Sequence, residues 1–151
     1  MPASLPPNIK FYRIVGGEPS ALSELDFGTG QPDQSSITLG PKRVRVANDT
    51  AENKEYATAM NPICYMGGTD VDTITDDFNW VRIKNIDDNG VPVSDTFTSV
   101  SKSNTHSYKA LAGNTIAQGT YVTFDTELVV PHETSAGEYD FDYIIEYQYT
   151  T

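Results

Sequence analysis

Four aspartates, Asp70, Asp72, Asp76 and Asp77, crowd one glycine-led segment, GGTDVDTITDD (67–77). Carboxylates on a loop suit Ca²⁺, a hard cation that gathers about six to eight oxygens. The spacing is not that of an EF-hand, and no glutamate follows at the required distance, so the expectation is a solvated acidic loop with no metal or cofactor. Cys64, in NPICYM, is the single cysteine. A nucleophilic role would require a nearby base, and only His106 and His132 offer an imidazole. Free cysteines are commonly buried, so Cys64 is expected to be inert. No G-x-S-x-G, HExxH, P-loop or dinucleotide fingerprint occurs, and the chain is not expected to be an enzyme. Trp80 or exposed tyrosines could stack on sugar rings, although the place of Trp80 in an alternating strand marks it as a core aromatic. Asn48-Asp49-Thr50 is a glycosylation sequon, uninformative without an export signal.

The element that must position these groups is the end of the chain. From Tyr139 the odd positions are Tyr139, Phe141, Tyr143, Ile145, Tyr147 and Tyr149, while the even ones are polar except for Ile144. Strand side chains alternate between faces, so this pattern predicts one buried aromatic face and one acidic, wet face. A slip of one residue would bury two aspartates, which pins the register. Thr120 to Val130 reads as the preceding strand, stopped by Pro131, which has no N–H for a ladder. The two form a terminal hairpin or cross from one sheet to another.

Upstream, Met1 to Asn8 carries three prolines and is expected to be an extended arm outside any sheet, adding little to the core. Ile9 to Val15 is a first strand ended by Gly16-Gly17, and Glu18 to Ser23 reads as a loop or one helical turn. Ile37 to Asn48 is a strand region interrupted at Gly40-Pro41, followed by an exposed polar loop from Asn48 to Glu55. Tyr56 to Met66 reads as two short strands or a bulged one around Asn61-Pro62. Phe78 to Asn85 is a strand, and Asn89-Gly90 signals a tight hairpin returning through Val91 to Val100. His106 to Leu111 is a weaker strand, and Ala112 to Gly119 a turn. Roughly eight to ten short strands emerge, at the spacing typical of sandwiches, with no convincing amphipathic helix.

The bulk properties agree. A chain of 151 residues suits one domain, and its 38% hydrophobic content is helped by 9 Tyr, 6 Phe and 1 Trp, which supply large apolar area at few positions. A net charge of −11 with only 10 Lys and Arg disfavours nucleic-acid binding. No segment approaches the roughly 20 apolar residues of a membrane span. The N-terminal MPASLPPN lacks the basic and apolar regions of a signal peptide.

Two stretches carry a resemblance. LDFGTGQPDQSSITLGPKRVRVAND (25–49) resembles the opening of immunoglobulin-like domains, and LAGNTIAQGTYVTFDTELVVPHETSAGEYDFDYIIEYQY (111–149) resembles their end. Such domains occur in bacterial surface proteins and in structural proteins of tailed bacteriophages. The resemblance implies an all-β fold, an immunoglobulin-like antiparallel β-sandwich over residues 9–151 with an extended arm at 1–8. It further implies a non-enzymatic virion structural protein, a capsid decoration protein located on the virion. Its partner would be the major capsid protein or another virion shell protein, and it would form a homo-oligomer, with a trimer expected. Contact is expected through Pro2, Leu5, Pro6 and Pro7 of the arm. The alternative is a carbohydrate-binding or adhesive sandwich domain on a phage tail or bacterial surface.

The alternation of the last strand has a direct test. Tyr143→Asp should cost several kcal/mol by burying an unpartnered charge, whereas Asp142→Lys should change stability by less than about 1 kcal/mol. Denaturant titration of both variants checks this; equal effects would mean that the alternation does not separate a buried face from a wet one.

Overall fold

The computed structural model describes residues 4–30, 36–75, 79–86, 93–103, 105, 107–132, 134, 135 and 137–150. Its strands are β1 (Ile9–Val15), β2 (Glu18–Ala21), β3 (Ile37–Asn48), β4 (Ala59–Gly67), β5 (Val81–Asn85), β6 (Thr98–Ser99), β7 (Lys109–Ala110), β8 (Thr115–Ile116), β9 (Thr120–Val130) and β10 (Asp142–Gln148). Among the described residues there is one short helix, α1 (Val71–Thr75), between β4 and β5. The strands form two antiparallel sheets, one of six strands in the order β2-β1-β3-β9-β5-β6 and one in the order β10-β4-β7, with β8 also paired to β4. The protein is thus all-β, in an arrangement consistent with a β-sandwich.

Alternation builds the core. Val44, Val46, Val122, Phe124, Val81 and Ile83 line one face of the six-stranded sheet, and Cys64, Met66 and Ile116 come from the other sheet. The inward aromatics of β10 complete it: Tyr143 stacks on Phe124 with ring centroids 6.4 Å apart. On β10 Asp142 and Glu146 are exposed while Tyr143, Ile145 and Tyr147 are half-buried, as the period of two requires; Tyr149, just past the strand, is 42% exposed. β9 and β10 lie in different sheets, so the terminal pair is a crossover and not a hairpin.

Several local expectations change. Glu18 to Ala21 is a strand, because Gly16 and Gly17 both take positive φ (61° and 83°) and close a two-residue turn that sets Val15 opposite Glu18. Pro19 is tolerated there because β2 is an edge. β4 is one bulged strand: Asn61 adopts φ 52°, and the pairing to β10 shifts between Glu146 and Gln148. The segment read as a loop at 67–77 contains α1, whose Ile74 is fully buried. Val71, Ile74 and Thr75 share one side of a single turn, too short for a helical period to stand out. The turn read as Ala112 to Gly119 contains β8, paired to Ala59 and Met60. The Asn89-Gly90 turn lies outside the described residues.

Asn48 departs furthest from expectation. Placed at the head of an exposed loop by its sequence, it is fully buried. Its Nδ2 donates to the carbonyls of Ala57 and Ile116, both at 2.9 Å, and its Oδ1 accepts the Asn8 N–H at 2.9 Å. The sequon is therefore closed in the folded protein, since the amide nitrogen is buried and engaged twice. Gly68 is needed for a different reason: at φ 95°, a Cβ there would sit 2.8 Å from the Asp142 nitrogen.

Asn48→Ala would strand two carbonyls and one N–H in the interior. The expected cost is about 2–5 kcal/mol. Thr50→Ala, in the exposed loop next to it, should stay within about 0.5 kcal/mol. Chemical denaturation reads both, and similar midpoints would remove Asn48 as a structural hub.

Candidate functional site

Residues 4–8 run as a strap along the segment that follows β3. The Leu5 N–H donates to Glu55 O at 2.9 Å, and the Ala57 N–H donates to Leu5 O at 2.7 Å. Leu5 makes an isolated parallel bridge to Tyr56. Asn8 bonds the backbone of Asp49 in both directions, its carbonyl accepting the Asp49 N–H at 3.0 Å and its Nδ2 donating to Asp49 O at 3.1 Å. The strap belongs to neither sheet, yet it is tied to the domain along its length. Of the four candidate contact residues, Leu5 is 43% exposed, Pro6 is exposed and Pro7 is buried. Pro2 lies outside the described residues. Pro7 and Asn8 therefore belong to the packed structure, which corrects the expectation that the segment adds little to it.

The strap's floor is fixed by side chains far away in sequence. The Tyr56 N–H donates to Gln118 Oε1 at 2.6 Å, and Gln118 Nε2 donates to Lys54 O at 3.4 Å. Bonds reaching across more than 60 residues leave no trace in local periodicity, and sequence reasoning did not find them.

The acidic segment does not converge as a ligand set. Asp70 faces the start of the last strand: its N–H donates to Asp140 O at 2.8 Å and its Oδ2 accepts the Asp140 N–H at 2.7 Å. Asp72 is exposed and pairs with Lys102 at 2.9 Å. Asp76 and Asp77 lie outside the described residues. Among the described residues, no group of three or more His, Cys, Asp or Glu side chains is placed to hold a metal ion.

The remaining candidates separate in the same way. Cys64 is fully buried, and burial pushes its thiol pKa up, which suppresses the thiolate that nucleophilic chemistry needs. His132 is exposed, and His106 lies outside the described residues. Trp80 is 4% exposed, with its ring edge-on to Tyr139 at 5.0 Å, so it is not a platform for a sugar. Tyr108 and Tyr149 are the exposed tyrosines, at 51% and 42%.

Two charged arrangements were not anticipated. At the Gly16-Gly17 turn, an open cleft of about 500 Å³ is lined by Arg13, Lys42 and Arg43 together with Asp125. Arg43 grips Asp125 with two bonds, 2.8 and 3.2 Å, so part of the positive charge is already matched. At the other arrangement, Asp95 and Lys109 form a mostly buried ion pair at 2.8 Å. Asp95 also accepts the N–H groups of Asn85 and Thr96, both at 2.9 Å. Burial alone would raise the Asp95 pKa, but the bonds from Lys109, Asn85 and Thr96 outweigh it and hold it below the usual value. The pair joins β7 to the segment before β6, and so links the two sheets.

A lowered native pKa means that Asp95 stabilises the fold above its unfolded value and that this contribution fades as pH falls through the native one. Asp95→Asn should cost about 1–2 kcal/mol at pH 7. The gap from wild type should narrow as pH falls below the ordinary aspartate value of about 3.9. Denaturant stability on either side of that value checks this; a gap independent of pH would assign the loss to packing and not to charge.

Comparison of the chain with protein-family models, with curated proteins and with solved structures finds no match.

Proposed function

We propose that this protein is a non-enzymatic structural component of a virion, an immunoglobulin-like sandwich that decorates the outer capsid shell of a tailed phage. The observation that carries the reading is the strap. Its backbone is held by hydrogen bonds on both sides of Leu5, while the Leu5 side chain stays 43% exposed beside an exposed Pro6. An apolar anchor on an already ordered backbone binds with little further loss of conformational entropy, which favours docking on a preformed shell. The net charge of −11 keeps a densely arrayed protein soluble. A shell protein is the partner in this reading, with the decoration protein arranged in symmetric groups.

Leu5→Asp should leave the melting temperature within a few degrees, because the side chain is largely exposed and its backbone bonds are retained. The same change should strip most of the protein from purified particles. Quantifying the bound protein by gel and locating it by cryo-electron microscopy gives the test. Full occupancy of the Leu5→Asp protein would dismiss the strap as the contact, and absence of wild-type protein from the outer shell would dismiss the decoration role.

A further inference from the structure

We propose that the outer edge of β10 is a strand-docking site that takes an extended, cationic segment of a partner protein. The inference stands apart from the virion reading and would hold for any host structure. β10 ends the four-stranded sheet, pairing with β4 on one side only. Among the described residues, no backbone hydrogen bond from Asp142 to Gln148 reaches beyond that ladder. Among the described residues, the outer N–H and C=O groups of this edge have no backbone partner. Edges of this length are usually blunted by lysine, by proline or by a covering element. β10 has neither lysine nor proline; it carries Asp142 and Glu146, and its ladder to β4 is regular from Asp142 to Glu146 and shifts before Gln148.

Charge selects the occupant. No Lys or Arg occurs after Lys109, and this stretch carries Glu138, Asp140, Asp142 and Glu146 at and around the edge. The neighbouring β4, AMNPICYMG, has no charged residue at all. The outer face of the β4–β10 ribbon is therefore apolar at Ile63, Tyr65 and Ile144 and acidic at Asp142 and Glu146, the latter two exposed. A strand added here would set alternate Lys or Arg residues against Asp142 and Glu146. Its intervening residues would extend the half-buried row of Tyr143, Ile145 and Tyr147. Main-chain bonds supply the affinity of such an addition, and the alternate side chains supply its selectivity.

A second copy of this chain fits the same edge poorly. A two-fold pairing centred on Ile144 would bring Asp142 directly opposite Glu146 twice. Centring it on Ile145 would set Glu146 diagonal to both Asp142 and Glu146 of the other copy. Like charges at such positions destabilise a cross-strand pair.

The probe is a labelled synthetic peptide, acetyl-Thr-Lys-Val-Lys-Val-Lys-Thr-amide, titrated against the full chain by fluorescence anisotropy. Saturable binding that weakens as salt is raised is expected. In Asp142→Lys/Glu146→Lys, with folding checked by circular dichroism, affinity should fall by roughly tenfold or more, and a peptide with Glu in place of Lys should bind instead. N-methylation of alternate amides in the Lys peptide should abolish binding to the wild-type protein, a readout that needs no variant to fold. No saturable binding up to about 1 mM would overturn the proposal. Undiminished binding of the N-methylated peptide would overturn it too, since face attraction alone would then suffice. A wild-type dimer in sedimentation that Ile145→Pro abolishes would assign the edge to a second copy and overturn it likewise.

Discussion

Buried polar groups must find partners, and in this protein that constraint is concentrated on Asn48. With no water to turn to, its amide has to satisfy two carbonyls from separate segments and one N–H from a third. Its own carbonyl accepts the Gly119 N–H at 2.7 Å, just before β9 begins. One side chain therefore fixes the end of β3, the strap before β1, the approach to β4 and the position of β8. The strap is ordered because Asn8 is captured here, and Leu5 is presented because the strap is ordered.

The same rule joins the sheets elsewhere. The Tyr143 hydroxyl donates to Thr126 Oγ1 at 2.6 Å, and Thr126 in turn donates to Arg82 O at 3.1 Å, a chain running from β10 through β9 to β5. Burial raises the Tyr143 pKa well above its ordinary value, so the phenol stays protonated and available as the donor. Asn85 Nδ2 donates to Ala110 O at 2.8 Å. The Tyr143–Thr126 and Asn85–Ala110 ties run between the two sheets, and Thr126–Arg82 continues the first within one of them. A modest hydrophobic content can specify one packing in this way, because the polar ties reject alternatives that apolar surfaces alone would accept.

The outer face of the six-stranded sheet is cationic and self-matched, and the β10 edge is acidic. Arg43 meets Asp125, and Arg45 lies over the Tyr121 ring at 3.7 Å. Lys84 sits across the ladder from Asp125, and Arg82 across from Glu127. The strongly negative chain thus keeps most of its cations on one sheet, where sheet neighbours already match them. The strap and the β10 edge lie apart from this matched face: Leu5 stays 43% exposed, and β10 pairs with β4 on one side only.

The existence of the longer strands was legible in the residues themselves. Where a strand has one wet and one dry face, as in β10 and part of β3, alternation marks it, because side chains point to opposite sides every residue. The limits of β9 were readable from Gly119 and Pro131, which break a ladder by conformation and by the missing N–H. The two-residue turn at Gly16-Gly17 was also readable in principle, since paired glycines suit positive φ, and β2 follows from it. Which strand lies beside which was not. β3 next to β9, β10 next to β4, and the burial of Asn48 against Ile116, 68 residues away, depend on contacts that no local period encodes. A polar residue at the end of a strand looks the same in sequence whether water or a carbonyl will receive it. Only the packed chain decided that Asn48 goes inside and Leu5 stays out.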